Sequence, residues 1–150
     1  MNNYIHPPAA SASAAQLAYL GDAVLELLVR RSLVLLGEAH PSEAALSYVT
    51  APAQSDALER ILPMLSEEEA LVYRRARNTV HANVPKRATV AQYRRATGLE
   101  ALFGYLELQG DNTRMQQLFF AAYPELAQID AVRSADCRQD GAHSLRTEEP

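Results

Sequence analysis

Residues 17–36, LAYLGDAVLELLVRRSLVLL, are apolar around almost the whole circumference of a helix. A helix of that kind has little to offer water and is expected at the centre of other helices. Gly37 follows it and predicts its end. One residue resists this account. Asp22 stands directly after Gly21, a carboxylate near the start of the most apolar stretch of the chain.

The rest of the sequence supplies helices to pack against the first, which is read over about 13–36. In HPSEAAL, Ser42 is the expected N-cap of a second helix running to about Ile61. A break is expected near TAPAQ, because Pro52 does not fit unstrained in a helix interior. Ser66 with Glu69 three residues on is a capping box, and SEEE places acids where the helix dipole favours them. That helix continues through ALVYRRARN and fades in the polar loop TVHANVPKRA. Thr89 with Gln92 forms another capping box and opens VAQYRRATGLEALFGYLEL, which ends near Gly110. A last segment, about 112–132, is expected to bend or restart at Pro124. No alternating strand run and no internal repeat is present. The expected fold is all-α, a helical domain of five to seven helices over residues 13–133. Residues 1–12 read as a flexible lead and 134–150 as a disordered tail.

With 150 residues, 48% of them hydrophobic and 21% charged, the chain is long enough for one domain with a real core. No run is apolar enough to span a membrane, since Asp22, Glu26, Arg30 and Arg31 interrupt the longest candidate. MNNYIHPPAASASAAQ lacks the pattern of a secretory signal, and the expected location is the cytoplasm. The single Cys137 excludes an intramolecular disulfide and a cysteine-rich zinc site, and His6, His40, His81 and His143 show no metal-ligand spacing.

The net charge of −4 hides a segregation. Between Ala70 and Leu99 there is no Asp or Glu, and Arg74, Arg75, Arg77, Lys86, Arg87, Arg94 and Arg95 all lie there, half of the 14 basic residues. A local field of this kind binds polyanions even on an acidic protein. For any single arginine, a solvated helix face is the simpler account.

Asp22, Glu26 and Arg30 share one helix face by their i, i+4, i+8 spacing. That stripe can face water, with Glu26 paired to Arg30, or present Asp22 to a site. GLEALFGYLEL sets a second acid, Glu100, among Leu99, Leu102, Phe103 and Leu106, with Gly104 one turn on. Small residues beside acids let another backbone or a ligand come close. Carboxylates converging at a helix crossing are the usual ligands of Mg²⁺ or Mn²⁺. The alternative for Glu100 is a rim residue whose carboxylate reaches solvent. Two acids for a hard metal beside arginines for phosphates suit hydrolysis of a phosphodiester backbone.

LAYLGDAVLELLVR resembles the signature helix of the ribonuclease III family, and GLEALFGYL resembles that family's later Glu-Ala-Leu-(small) helix. The nearer likeness is to the Mini-ribonuclease III branch, which has a nuclease domain and no double-stranded-RNA-binding domain. Its pattern accounts for LAYLGDAV, RRARN, VPK and YRRATGLEALFGYL, in order, over about residues 14–122. The resemblance implies that Asp22 and Glu100 are the catalytic, metal-binding pair, with Mg²⁺ as cofactor and Mn²⁺ as a substitute. It also implies a homodimer that packs its signature helices together and cuts both strands of duplex RNA, leaving 5′-phosphate and 3′-hydroxyl ends. The implied substrate is precursor large-subunit (23S) ribosomal RNA, presented by a ribosomal protein where one is needed.

Two further acids of the longer ribonuclease III enzymes correspond here to Ala18 and Thr97, as in the Mini branch, which implies a metal held by few protein ligands. Arg75, Arg77, Asn78, Lys86, Tyr93 and Arg94 match the branch pattern. With Arg74, Arg87 and Arg95, the basic residues among them and Asn78 form the expected RNA-binding set, since A-form duplexes are recognised by shape, phosphates and 2′-hydroxyls. The chain departs from the branch at Ser42 and Glu43, where a basic approach is usual, at Pro52 after the matching Ala51, and at Thr79 and Val80, where a lysine is common. The loss of two acids also leaves a second reading open, a non-catalytic duplex-RNA-binding scaffold of the same fold.

Overall fold

The computed structural model describes residues 11–79, 84 and 86–127. Most of the lead 1–12, the tail 134–150, the end of the helix expected over 112–132 and the departure at Val80 lie outside the described residues. Six α-helices make up the described chain: α1 (Ala14–Leu35), α2 (Pro41–Val49), α3 (Ala51–Ile61), α4 (Glu67–Arg77), α5 (Val90–Gln109) and α6 (Asn112–Ala122). Single 3-10 turns at Leu62–Met64 and Pro124–Leu126 complete them. No strand occurs among the described residues.

Local chemistry sets these boundaries. Ser13 caps α1 in a reciprocal box with Gln16, and Ser66 with Glu69 and Thr89 with Gln92 do the same for α4 and α5. Gly37 and Gly110 take left-handed φ of 73° and 69° just past α1 and α5. The following amides, of Glu38 and Asp111, return to the carbonyls of Leu33 and Leu106, the glycine-closed helix end that only a residue without Cβ adopts freely.

The second helix expected from Ser42 to Ile61 is two helices. Thr50 is extended, with ψ 152°, and Pro52 falls in the first turn of α3, where its missing amide hydrogen costs nothing. For the same reason α2 begins at Pro41, so His40 and not Ser42 is its N-cap, and Ser42 lies inside the first turn.

A further correction concerns the centre. α5, not α1, is the enclosed helix: it packs against α1, α3, α4 and α6, and Leu99, Ala101, Leu102 and Phe103 are fully buried. α1 buries Leu17, Leu25, Val29 and Leu33 within the bundle, while Tyr19 (87% exposed), Leu27 (54%) and Val34 (68%) form an uncovered stripe on its other side. The core closes with Leu58 and Ile61 of α3 and with Leu118, Phe119 and Tyr123, whose ring packs edge-on to Tyr48.

Candidate active site

The crossing of α1 and α5 positions the two acids. A Cβ added to Gly21 would overlap the carbonyl of Glu100 and lie 2.8 Å from the amide nitrogen of Gly104. One added to Gly104 would overlap the carbonyl of Leu17 and lie 3.1 Å from the Gly21 nitrogen. The two backbones are therefore in direct contact, and Asp22, the residue after Gly21, is carried to the contact where Glu100 begins its side chain. The juxtaposition expected from the glycines beside each acid is what the fold makes.

The two carboxyls differ in surroundings. Asp22 is exposed, with its pKa raised first by partial burial and then by the charge of Glu26. Glu100 is much more enclosed. Burial, followed by the negative charge of Asp22, pushes its pKa up to about 8, against an opposing hydrogen bond from Gln54. Its residue is of intermediate exposure, between the open Asp22 and the closed core. Glu26 pairs with Arg30 at 2.9 Å, so the outer part of the Asp22 stripe is a solvated ion pair.

Gln54 is a site residue that sequence reasoning passed over. It is 2% exposed in the first turns of α3, and its amide opposes the upward shift of the Glu100 pKa. The Tyr123 ring is buried nearby and feels the charges of Arg60 and Glu100, while its hydroxyl donates to the Tyr48 carbonyl at 3.2 Å. The positions of the two missing acids are closed. Ala18 is buried, and the Thr97 hydroxyl donates to the carbonyl of Tyr93, one turn back in its own helix, at 3.0 Å.

Among the described residues no group of three or more His, Cys, Asp or Glu could hold a metal ion, and neither Asp22 nor Glu100 is in an ion pair. Two acids that are each costly to ionise, with no basic partner among the described residues, are a donor set that a cation would relieve. The oxygen-only chemistry of the pair fits a hard divalent ion.

The basic residues lie along α4, the loop after it and the start of α5. Arg74, Arg75, Lys86, Arg87 and Arg94 are exposed. Arg77 sits over the ring of Tyr73, 5.5 Å from its centroid, and its Nε donates to Asn78 Oδ1 at 3.3 Å. Tyr73 is in turn pressed against Gly98 of α5, where any side chain would strike the ring. Arg95 is placed differently, paired with Glu59 of α3 at 2.7 Å.

Residues 15–111 match the Ribonuclease III domain. The chain is 42% identical over 107 residues to Mini-ribonuclease 3 of Enterococcus faecalis, covering 68% of this chain and 81% of that protein. It is 43% identical over 109 residues to Mini-ribonuclease 3 of Symbiobacterium thermophilum, covering 71% and 84%. A crystal structure of a protein from Fusobacterium nucleatum superposes with a TM-score of 0.67 at 30% identity, over 73% of this chain and 89% of that one.

Proposed function

This chain belongs to the ribonuclease III family and is an endoribonuclease, and from that premise we propose that it hydrolyses double-stranded RNA with a divalent metal ion at Asp22 and Glu100. The observation that carries the reading is the meeting of these two acids, without a basic partner among the described residues, at the glycine-to-glycine crossing of α1 and α5.

Each residue then has a task. Asp22, on the exposed side, and Glu100, on the enclosed side, would hold Mg²⁺, or Mn²⁺ in its place. Mg²⁺ keeps most of its waters and is satisfied by one or two carboxylates plus phosphate oxygens. A divalent ion bound there supplies Lewis acidity toward a phosphoryl oxygen. Arg74, Arg75, Arg77, Lys86, Arg87 and Arg94 would draw the duplex in through its phosphates, with Asn78 contributing an amide. Arg95 joins them only by giving up Glu59.

The uncovered stripe Tyr19, Leu27 and Val34 supports a homodimer that packs α1 against α1 of a second copy. That would bring two sites to one duplex, one for each strand, leaving 5′-phosphate and 3′-hydroxyl ends. The substrate proposed is precursor 23S ribosomal RNA in the cytoplasm, with a ribosomal protein presenting it where free RNA is cut poorly. No helix among the described residues is long and apolar enough to cross a membrane.

The test is cleavage of an end-labelled RNA duplex by wild type and by Asp22→Asn, each with Mg²⁺ and with EDTA. Cutting only by wild type with metal is the expected result. Equal cutting by Asp22→Asn, from protein freed of contaminating nuclease, overturns the mechanism. Salt-sensitive binding without scission at any metal concentration, on free duplex and on the ribosomal precursor alike, favours the scaffold reading that Ala18 and Thr97 left open.

A further inference from the structure

Building on the assignment of Arg77 to the phosphates of the duplex, we infer that Tyr73 is a positioning residue, whose ring holds the Arg77 guanidinium in place before RNA arrives. The two residues lie one turn apart on α4, and the guanidinium carbon stands 5.5 Å from the ring centroid, within the reach of a cation–π contact. Nε of the same guanidinium donates to Asn78 Oδ1 at 3.3 Å. One face and one nitrogen of Arg77 are thus engaged, while both terminal nitrogens have no acceptor among the described residues.

The chemical type of the partner matters. Arg30, Arg95 and Arg114 are each neutralised by a carboxylate, of Glu26, Glu59 and Glu69 in turn. Arg77 has no carboxylate partner among the described residues, and what orders it is an uncharged ring and an uncharged amide. Its charge therefore stays available to a polyanion. A guanidinium stacked on a ring leaves its edge open, and that edge is the fork that matches two phosphate oxygens. An arginine already ordered also gives up less side-chain entropy when it grips a phosphate. The ring is itself fixed: Tyr73 is 6% exposed, and a Cβ added to Gly98 of α5 would strike its Cδ2 and lie 2.7 Å from its Cε2. The ring under Arg77 thus rests on the α5 backbone two residues before Glu100.

The experiment is a double-mutant cycle on binding of a labelled RNA duplex by the full chain in EDTA, at several salt concentrations, for wild type, Tyr73→Leu, Tyr73→Phe, Arg77→Ala and Tyr73→Leu combined with Arg77→Ala. Tyr73→Leu should bind about threefold more weakly with the salt slope of wild type, because the charge is still present. Arg77→Ala should lower the slope by about one. Tyr73→Phe keeps the ring and should restore binding, and in the Arg77→Ala background Tyr73→Leu should cost nothing further. In cleavage assays Tyr73→Leu should raise KM for duplex and keep kcat. A loss from Tyr73→Leu that is as large without Arg77 as with it overturns the inference, since a packing defect would do the same, and so does wild-type affinity in Tyr73→Leu. If Tyr73→Leu does not fold, Arg77→Lys carries the test, because it keeps the charge and loses the planar group: a loss of about threefold is expected, and wild-type affinity overturns the role of the ring. Arg77→Ala that binds and cuts like wild type overturns the phosphate role of Arg77 and this inference with it. Failure of the proposed function shows separately, as a wild type that neither binds nor cuts duplex.

Discussion

Gly21 and Gly104 meet backbone to backbone where α1 crosses α5, each lying where a Cβ on the other would drive into the neighbouring chain. The contact has no side chain in it. Its effect is to bring a residue next to one glycine, Asp22, and a residue one turn before the other, Glu100, to the same place.

Gly21→Ala and Gly104→Ala should each lower stability by about 2 kcal/mol or more, because the atoms in the way are carbonyls and amides that cannot rotate aside. Urea unfolding followed by circular dichroism measures this. Cleavage should fall further than the folded fraction explains, since a wider crossing separates the two acids. An unchanged midpoint for either variant would show that the helices are not in backbone contact.

Glu100 makes the metal-free protein sensitive to pH. Its folded pKa is raised from 4.5 to about 8 by burial and then by Asp22, so the ionised form is disfavoured in the fold. Stability from the protonated acid is complete below pH 4.5 and is lost as pH rises through 8. In EDTA, Glu100→Gln should therefore be more stable than wild type near pH 9, by on the order of 2 kcal/mol, and the gap should close toward pH 5. Added Mg²⁺ should stabilise wild type and leave the variant unmoved. Thermal melts over this range, with and without metal, check both halves.

Much of this was legible because its signals are local. The Ser66–Glu69 and Thr89–Gln92 boxes, the glycines at 37 and 110 and the acids beside Gly21 and Gly104 are all short-range patterns, and the structure uses each of them. Ser13 and Gln16 carry the same capping pattern and could have been read in SAAQ. Ser42 misled because Pro41, one residue earlier, is a stronger helix start. Gln54 had no signature at all. An amide in an alanine-rich stretch becomes meaningful only when α3 is laid against α5. The exposed side of α1 was hidden for the opposite reason, since an apolar stripe reads the same in sequence whether its cover is this chain or another.

The arginines should separate by their partners. Arg77→Ala should weaken duplex binding across unrelated sequences and reduce the salt slope by about one, as loss of a phosphate contact does. Arg95→Ala should do less, because Glu59 already holds that guanidinium at 2.7 Å. Glu59→Ala should then tighten binding slightly by releasing Arg95. Filter binding at several salt concentrations distinguishes these, and equal losses for Arg77→Ala and Arg95→Ala would contradict the distinction.

The uncovered side of α1 predicts an association that a single charge should break. Leu27, 54% exposed between Tyr19 and Val34, is the position for Leu27→Glu. The variant should sediment as a monomer with an unaltered helical spectrum, while wild type sediments as a dimer. A wild type that stays monomeric at tens of micromolar would remove α1 as the dimer face.

The last prediction concerns a pair 45 residues apart. Glu69, 5% exposed in the first turn of α4, accepts from Nε and one terminal nitrogen of Arg114, both at 2.8 Å, and from the Ser66 amide at 2.8 Å. Arg114 also donates to the Met64 carbonyl at 2.6 Å and to Gln117 at 2.7 Å, so one guanidinium ties α4, the turn before it and α6. The Arg114 hydrogen bond is the chief reason the Glu69 pKa is lowered from 4.5, with burial opposing it. A lowered pKa means that the stabilisation is complete above 4.5 and is lost as pH falls through the folded value. Glu69→Gln should cost about 2–3 kcal/mol at pH 7, because a charged-group hydrogen-bond pair is broken and a mostly buried guanidinium is left without its counter-charge. At pH 3 the gap between wild type and variant should shrink as wild type itself becomes protonated. Paired urea titrations at the two pH values decide it: a gap that stays constant would mean that Glu69 contributes through packing and its hydrogen bond to Ser66, and that its charge contributes nothing.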